Sequence, residues 1–131
     1  MKKNRQGAAA VEFAITAPIL FLLMATIFEF GWFVVIKHTA DNAAYEATRR
    51  AIVPGGTVQD ANEEASRMMR MVGAQSFDVA VDPANIDFDT REVEVIVSGL
   101  ASENGIIASR FLGGVQFNSE VKLLTERPRR D

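Results

Sequence analysis

The feature that most constrains this chain of 131 residues is an apolar run near its amino end. Residues 13–36 read FAITAPILFLLMATIFEFGWFVVI, and Glu29 is the one formal charge among them. As an α-helix the run would be about 36 Å long, enough to cross a hydrocarbon core of about 30 Å. Its Phe, Ile, Leu and Val residues favour insertion by about 4–8 kcal/mol, whereas one acid near mid-depth costs about 3 kcal/mol. We therefore predict a transmembrane segment at 13–36.

A cleaved secretory signal peptide is the alternative explanation for a basic amino end followed by an apolar stretch. Such a signal has an apolar part of about 7–15 residues and ends at small residues of the A-x-A kind. Here the run is longer, and the following KHTADNAAYEA, residues 37–47, has the pattern of an amphipathic helix without such a site. We therefore interpret the run as an anchor. Lys2, Lys3 and Arg5 predict a cytoplasmic amino end and an exported remainder.

Composition limits the classes of function. With 14 basic and 17 acidic residues, the nearly neutral balance argues against a general nucleic-acid binder. The absence of cysteine excludes disulfides and thiolate metal sites. The single histidine, His38, lies at the membrane border and is interpreted as an interfacial polar residue, and the sequence has neither a nucleophile elbow nor a phosphate-binding loop. We predict a protein that is not an enzyme and needs no cofactor.

Glu12 lies just ahead of the apolar run, where a carboxylate needs an explanation. It is the fifth residue counted from Ala8, and Gly7 precedes Ala8. A basic leader, a glycine, four small or apolar residues and then Glu-Phe opening a hydrophobic helix resemble the prepilin signature of type IV pilins. The simpler alternative is a surface acid at the lipid headgroup boundary that balances Lys2 and Lys3.

Further features narrow this resemblance. Residues 5–53 look like the amino-terminal region of the TadE-like family, the minor pilins or pseudopilins of tight-adherence (Tad, Flp-type) pili. The shared features are Glu12-Phe13, Pro18 within the apolar run, Glu29-Phe30-Gly31, and the alanine-rich ADNAAYEATRRA at 40–51. An Arg often follows Glu-Phe-Gly in relatives, whereas this chain has Trp32.

The resemblance implies that a prepilin peptidase cuts between Gly7 and Ala8. The new ammonium at Ala8 of one subunit would then be neutralised by Glu12 of its neighbour, which offsets the cost of a charge in lipid. Glu29 is also expected to contact a subunit or an assembly protein, because an acid at membrane depth usually faces a partner. Its alternative is a hydrogen bond within its own helix. Pro18 is expected to bend the helix without ending it.

The resemblance also implies partners and a location. The expected partners are the prepilin peptidase, other pilins or pseudopilins of the same system, membrane lipid, and an inner-membrane assembly platform powered by a separate ATPase. The expected location is the bacterial inner membrane, with one span, a cytoplasmic amino end and an exported carboxyl-terminal domain. The alternative is an uncleaved single-pass membrane protein whose exported domain binds or scaffolds something else.

The rest of the chain predicts a small α+β domain of pilin-like type. The first helix should continue to Val53, where Pro54-Gly55-Gly56 stops it. Its second half carries a stripe of small residues that can pack against another helix or a sheet: Ala40, Ala43, Ala44, Ala47 and Ala51. Thr57 and Asp60 form a capping box that opens a second helix ending at Gly73. Alternation around 77–81, 93–97 and 115–123 predicts three antiparallel strands, with a short helix at 106–114.

These assignments divide the chain into four parts. They are a leader at 1–7, an amino-terminal helix at 8–53, an exported domain at 54–124 and a disordered tail at 125–131. Four oxygen-bearing residues, Asp82, Asn85, Asp87 and Asp89, have the donor type that calcium prefers. They lack the glycine and the distal Glu of an EF-hand loop, so a solvated turn is the preferred interpretation and no metal is predicted.

Overall fold

A computed structural model describes residues 3–106 and 113–126, with side chains described from Gly7 onward. In chain order the elements are α1 (Lys3–Ile52), α2 (Val58–Met71), β1 (Asp78–Asp82), β2 (Glu92–Leu100), α3 (Ala101–Asn104) and β3 (Gln116–Leu124). The strands form one antiparallel sheet in the order β1-β2-β3. The predicted α+β fold, with a long apolar first helix, a second helix and a three-stranded sheet, is confirmed.

The long helix α1 has two unlike halves. In the first half, the large apolar side chains of residues 11–30 are between 45% and 72% exposed. Within the described part of the chain, α1 is the one helix long and apolar enough to cross a membrane, judged by length and composition. Pro18 lies inside α1, and the helix continues past it, while the bend at this residue stays a prediction.

The second half of α1 is the central helix of a small domain. The five alanines of the predicted stripe are fully buried, and α2, β2 and β3 all contact this helix. Larger side chains pack opposite them from the other elements: Met69, Val93, Val95, Val97 and Phe117. Small side chains on α1 let the large side chains of the other elements approach closely, so one stripe receives both a helix and a sheet.

The connection between α1 and α2 follows from its glycines and its cap. Gly55 has a φ of 86°, which favours glycine. A Cβ on Gly56 would lie 2.8 Å from the carbonyl oxygen of Ala51, so no larger residue fits against the end of α1. The Thr57 hydroxyl accepts the Asp60 N–H at 3.1 Å, and the Asp60 carboxylate accepts the Thr57 N–H at 3.0 Å. The predicted capping box is confirmed.

The sheet presents alternate residues to α1. Val93, Val95 and Val97 of β2 are buried, as the alternation predicted, and β3 runs beside them with Val97 opposite Ser119. The short helix α3 follows β2 directly, and most of the predicted helix at 106–114 lies outside the described residues. At the end of β3, the Glu126 N–H donates to the Ile52 carbonyl oxygen at 3.2 Å, and residues 127–131 lie outside the described part.

Glu64 is a buried acid between the two helices. It is 6% exposed, hydrogen bonds with Arg67 one turn along α2, and lies 3.2 Å from a guanidinium nitrogen of Arg50 on α1. The hydrogen bond from Arg67 lowers the pKa of the Glu64 carboxyl below its ordinary value, with the charge of Arg50 assisting and burial opposing. This acid therefore ties α2 to α1 in its ionised form.

We expect Glu64→Gln to lower the free energy of unfolding by about 1–3 kcal/mol at pH 7, as for other hydrogen bonds to charged groups. Because the folded-state pKa is lowered, the stabilisation is present above the unfolded-state pKa of about 4.5 and is lost as the pH falls through the lower folded-state pKa. The difference between wild type and variant should therefore shrink below about pH 4.5. Urea unfolding of the full chain in detergent, followed by pulse proteolysis from pH 7 to pH 3, measures this difference in the free energy of unfolding. Glu63→Gln, on the exposed side of α2, is the control, and a pH-independent difference would contradict the assignment.

Candidate functional site

The residues of the predicted cleavage and pairing site lie together at the start of α1. Gly7, Ala8 and Glu12 are all helical and exposed, and nothing lies within 4 Å of where a Cβ on Gly7 would be. The Thr16 hydroxyl donates to the backbone carbonyl oxygen of Glu12 at 2.9 Å, and the Glu12 side chain is exposed on the helix surface. The structure therefore leaves this end of α1 open to a peptidase or a neighbouring helix, and the predicted roles stay predictions.

Glu29 is far from that end and has a different environment. At 1.5 Å per residue it lies about 25 Å along α1 from Glu12, so the two acids do not form one site. Glu29 is only 3% exposed, and its carboxylate oxygens accept the Ile106 N–H at 3.1 and 3.3 Å. The sequence left two kinds of partner open for Glu29, a neighbouring subunit and its own helix. The Ile106 N–H belongs to neither of them. Glu29 therefore holds the segment after α3, and a contact with another subunit stays a prediction.

Trp32 reinforces this contact from the next turn of α1. Its indole Nε1–H donates to the carbonyl oxygen of Asn104 at 2.9 Å. Residues three apart lie on the same helix face, so Glu29 and Trp32 meet the same backbone segment. The carboxylate takes the N–H of Ile106 while the indole takes the carbonyl of Asn104, two residues earlier. Trp32 is therefore a hydrogen-bond donor from α1 to the end of α3.

The side chain of Asn104 organises the segment that Glu29 and Trp32 hold. It is 7% exposed, and its amide oxygen accepts the N–H groups of Gln75 at 2.8 Å and Ser76 at 3.1 Å. Its amide nitrogen donates to the carbonyl oxygens of Ser76 at 2.6 Å and Leu100 at 2.9 Å. One side chain thus joins α3, the end of β2 and the loop before β1. The pair Asn104-Gly105 is typical of a turn in the sequence and gives no sign of this role.

A second polar contact joins α1 to the sheet. Lys37 Nζ lies 2.5 Å from a carboxylate oxygen of Asp41 and donates to the Ser119 hydroxyl at 3.2 Å, while that hydroxyl donates to Asp41 at 2.7 Å. Burial raises the pKa of the Asp41 carboxyl, but the hydrogen bonds from Lys37 and Ser119 outweigh this effect and lower it overall. Ser119 is 3% exposed. These partners explain how a hydroxyl is accommodated on the buried face of β3.

The acids considered for calcium do not assemble into a metal site. Asp82 pairs with Glu94 across the β1–β2 ladder, and the Asp87 backbone exchanges hydrogen bonds with Thr90 through its N–H at 2.9 Å and its carbonyl at 3.2 Å. Over residues 3–106 and 113–126, no group of three or more His, Cys, Asp or Glu side chains is placed to hold a metal ion. His38 is exposed on α1.

Comparison with known proteins bears on α1. The family model described as TadE-like protein matches residues 7–49, whereas no curated protein and no solved structure matches the chain. The match begins at Gly7 and includes both Glu12 and Glu29. That family is one of proteins associated with tight-adherence pili. Over residues 7–49, which form most of α1, the chain is therefore TadE-like, as the resemblance predicted.

Proposed function

We propose that this protein is a minor pilin or pseudopilin needed to assemble a tight-adherence type IV pilus. The observation that carries the proposal is the division of α1 into an exposed apolar half, starting just after Gly7, and a second half covered by a small domain. Before assembly, the exposed apolar half of α1 holds such a subunit in the bilayer. The same apolar surface then packs against other helices when the subunit leaves the lipid.

Processing is the first step of the proposal. A prepilin peptidase at the inner membrane cuts between Gly7 and Ala8, with the amino end in the cytoplasm and the domain of residues 54–124 exported. The two residues lie in the second turn of α1, close to its amino end, where a helix frays more easily than in its interior. The open space around Gly7 suits a narrow catalytic cleft.

Pairing is the second step. Ala8 and Glu12 are four residues apart, so a neighbouring helix displaced by about 6 Å along the axis brings its Glu12 level with the new ammonium. The surrounding surface is apolar, and opposite charges attract strongly there. Glu12 is exposed on the helix, where a neighbour can reach it. The energy for extraction comes from a partner ATPase through the assembly platform.

We expect Glu12→Gln to be cut normally but to lower the number of surface pili about tenfold or more. The variant keeps the size and polarity of the side chain and removes its charge, so the Ala8 ammonium stays unneutralised. A charge at the bilayer centre costs about 2.5–3.5 kcal/mol on insertion scales, and 1.4 kcal/mol corresponds to a factor of ten, so about half of that cost in the apolar interior of a fibre accounts for the expected loss. Sheared pili counted by electron microscopy, with the processed fraction measured by mass, give the two readouts.

Glu12→Asp is the matched control, because it retains a carboxylate at the same position. Piliation by Glu12→Asp well above that of Glu12→Gln supports charge pairing. Wild-type piliation by Glu12→Gln would refute the pairing role. Wild-type piliation after deletion of the whole gene would refute the proposed function and leave the uncleaved scaffold as the explanation.

A further inference from the structure

We propose that Glu29, Trp32, Asn104 and Ile106, here called the border site, fix the exported domain on the outer surface of the bilayer. The membrane-spanning part of α1 then ends near Phe28 rather than at Ile36, and the Ile106 side chain contacts lipid. The proposal needs an anchored α1 but does not depend on cleavage or on a pilus.

The domain meets α1 at a level that lies within the outer half of a span at 13–36. The segment from Ala101 to Gly105 lies against Glu29, Phe33 and Ile36, and Ile36 is only 1% exposed. A span at 13–36 would therefore place α3 and the following loop at hydrocarbon depth. Lipid-exposed loops do not occur there, because lipid offers no partner for backbone polar groups. The span must end before the level at which this segment meets α1.

The length of the exposed part of α1 also fits a span that ends near Phe28. Residues 8–28 form a helix about 31 Å long at 1.5 Å per residue, which matches a hydrocarbon core of about 30 Å. All the large apolar side chains of α1 from Val11 to Phe28 are exposed and so available to lipid. This placement sets Glu12 near the cytoplasmic border and Glu29 at the outer border. Neither acid then lies at mid-depth.

The surface beside the border site is largely apolar. Ile106 is 65% exposed, and the groove between it and α1 is lined mainly by apolar groups: Ile27, Phe28, Gly31, Trp32 and Val35. This groove continues the exposed apolar surface of the span, so lipid is the occupant that covers both. Glu29 lies behind it with its carboxylate turned to the Ile106 N–H. Trp32 has the mixed character of residues at membrane interfaces, with its N–H bound to Asn104.

The single tryptophan of the chain is a built-in depth reporter. With residues 8–28 as the span, Trp32 lies about 21 Å from the bilayer centre, outside the hydrocarbon, whereas a span at 13–36 puts it about 11 Å from the centre. In phosphatidylcholine vesicles we expect a nitroxide on the lipid headgroup to quench wild-type Trp32 fluorescence at least twofold more than a mid-chain nitroxide. Stronger quenching by the mid-chain nitroxide would overturn the proposal.

Ile106 is tested by a cysteine, since the chain has none of its own. Full-length Ile106→Cys carrying an environment-sensitive dye should emit at shorter wavelength in vesicles than Glu63→Cys, which lies on the exposed side of α2. Leu20→Cys gives the reference for hydrocarbon. A water-like spectrum at position 106 overturns the lipid contact. A blue shift that disappears when protein is diluted in lipid overturns it too, because the occupant is then a second copy.

Discussion

Gly7→Leu is expected to keep residues 1–7 on the protein in cells that contain the prepilin peptidase, with no mature form detectable. The expectation rests on a glycine placed directly before the apolar helix, where a bare backbone fits a narrow cleft. The space around Gly7 is open, so leucine does not disturb the fold and the effect is confined to recognition. Intact mass of the membrane-extracted chain, with and without the peptidase, measures the result.

Gly31→Leu is the matched control, because Gly31 lies in the same helix and is also open where a Cβ would stand. It should insert and be processed like wild type. Mature mass for Gly7→Leu would place the cut at another bond or assign it to another enzyme. Failure of both variants to accumulate would show a defect of insertion rather than of processing, and would contradict the expectation that leucine is harmless at Gly7.

Asn104→Ala is expected to destabilise the domain that packs on the second half of α1 by about 2–4 kcal/mol. The substitution removes the hydrogen-bond partners of four backbone groups, two N–H groups and two carbonyl oxygens. Each buried group left without a partner costs about 1–3 kcal/mol, and water or relaxation of the structure recovers part of this cost. Domains of this size are stable by about 5–15 kcal/mol, so the loss is a large share of the total. Urea unfolding of the full chain in detergent, followed by pulse proteolysis, gives the difference.

Asn118→Ala is the control for this measurement. Asn118 lies on the exposed side of β3, and a surface substitution of this kind changes stability by about 0.5 kcal/mol or less. Asn104→Asp provides a second comparison, because it keeps the acceptor oxygen and loses the donor nitrogen. Equal stability of Asn104→Ala and Asn118→Ala would show that the four hydrogen bonds contribute nothing net.

The elements of the fold were predictable because their signals are local. The Pro54-Gly55-Gly56 turn ends α1 at Ile52, one residue before the predicted position. The capping box of Thr57 and Asp60 correctly predicted the start of α2. Alternating valines predicted β2, and β3 begins at Gln116, one residue after the predicted start at Val115. Each of these signals depends on neighbours within a few residues, which sequence spacing records directly.

The border site was not predictable because its contacts are distant in sequence. Glu29 and Ile106 are 77 residues apart, and Trp32 and Asn104 are 72 apart. Periodicity shows that Glu29 interrupts an apolar surface but not which loop returns to it. Asn104 next to a glycine favours a turn, and its buried hydrogen bonds depend on where Ser76 lies in space. Gly7, Ala8 and Glu12 are a different case, because their roles require a peptidase or a second subunit.

The proposed function is tested most directly by the intact mass of the wild-type chain recovered from two sources, inner membranes and sheared surface pili. We expect the membrane fraction to contain a form that begins at Ala8, and the same form to appear in pili or to be needed for their assembly in the complemented deletion strain. A chain that retains residues 1–7 in both fractions, in cells whose other pilins are processed, would contradict the proposal.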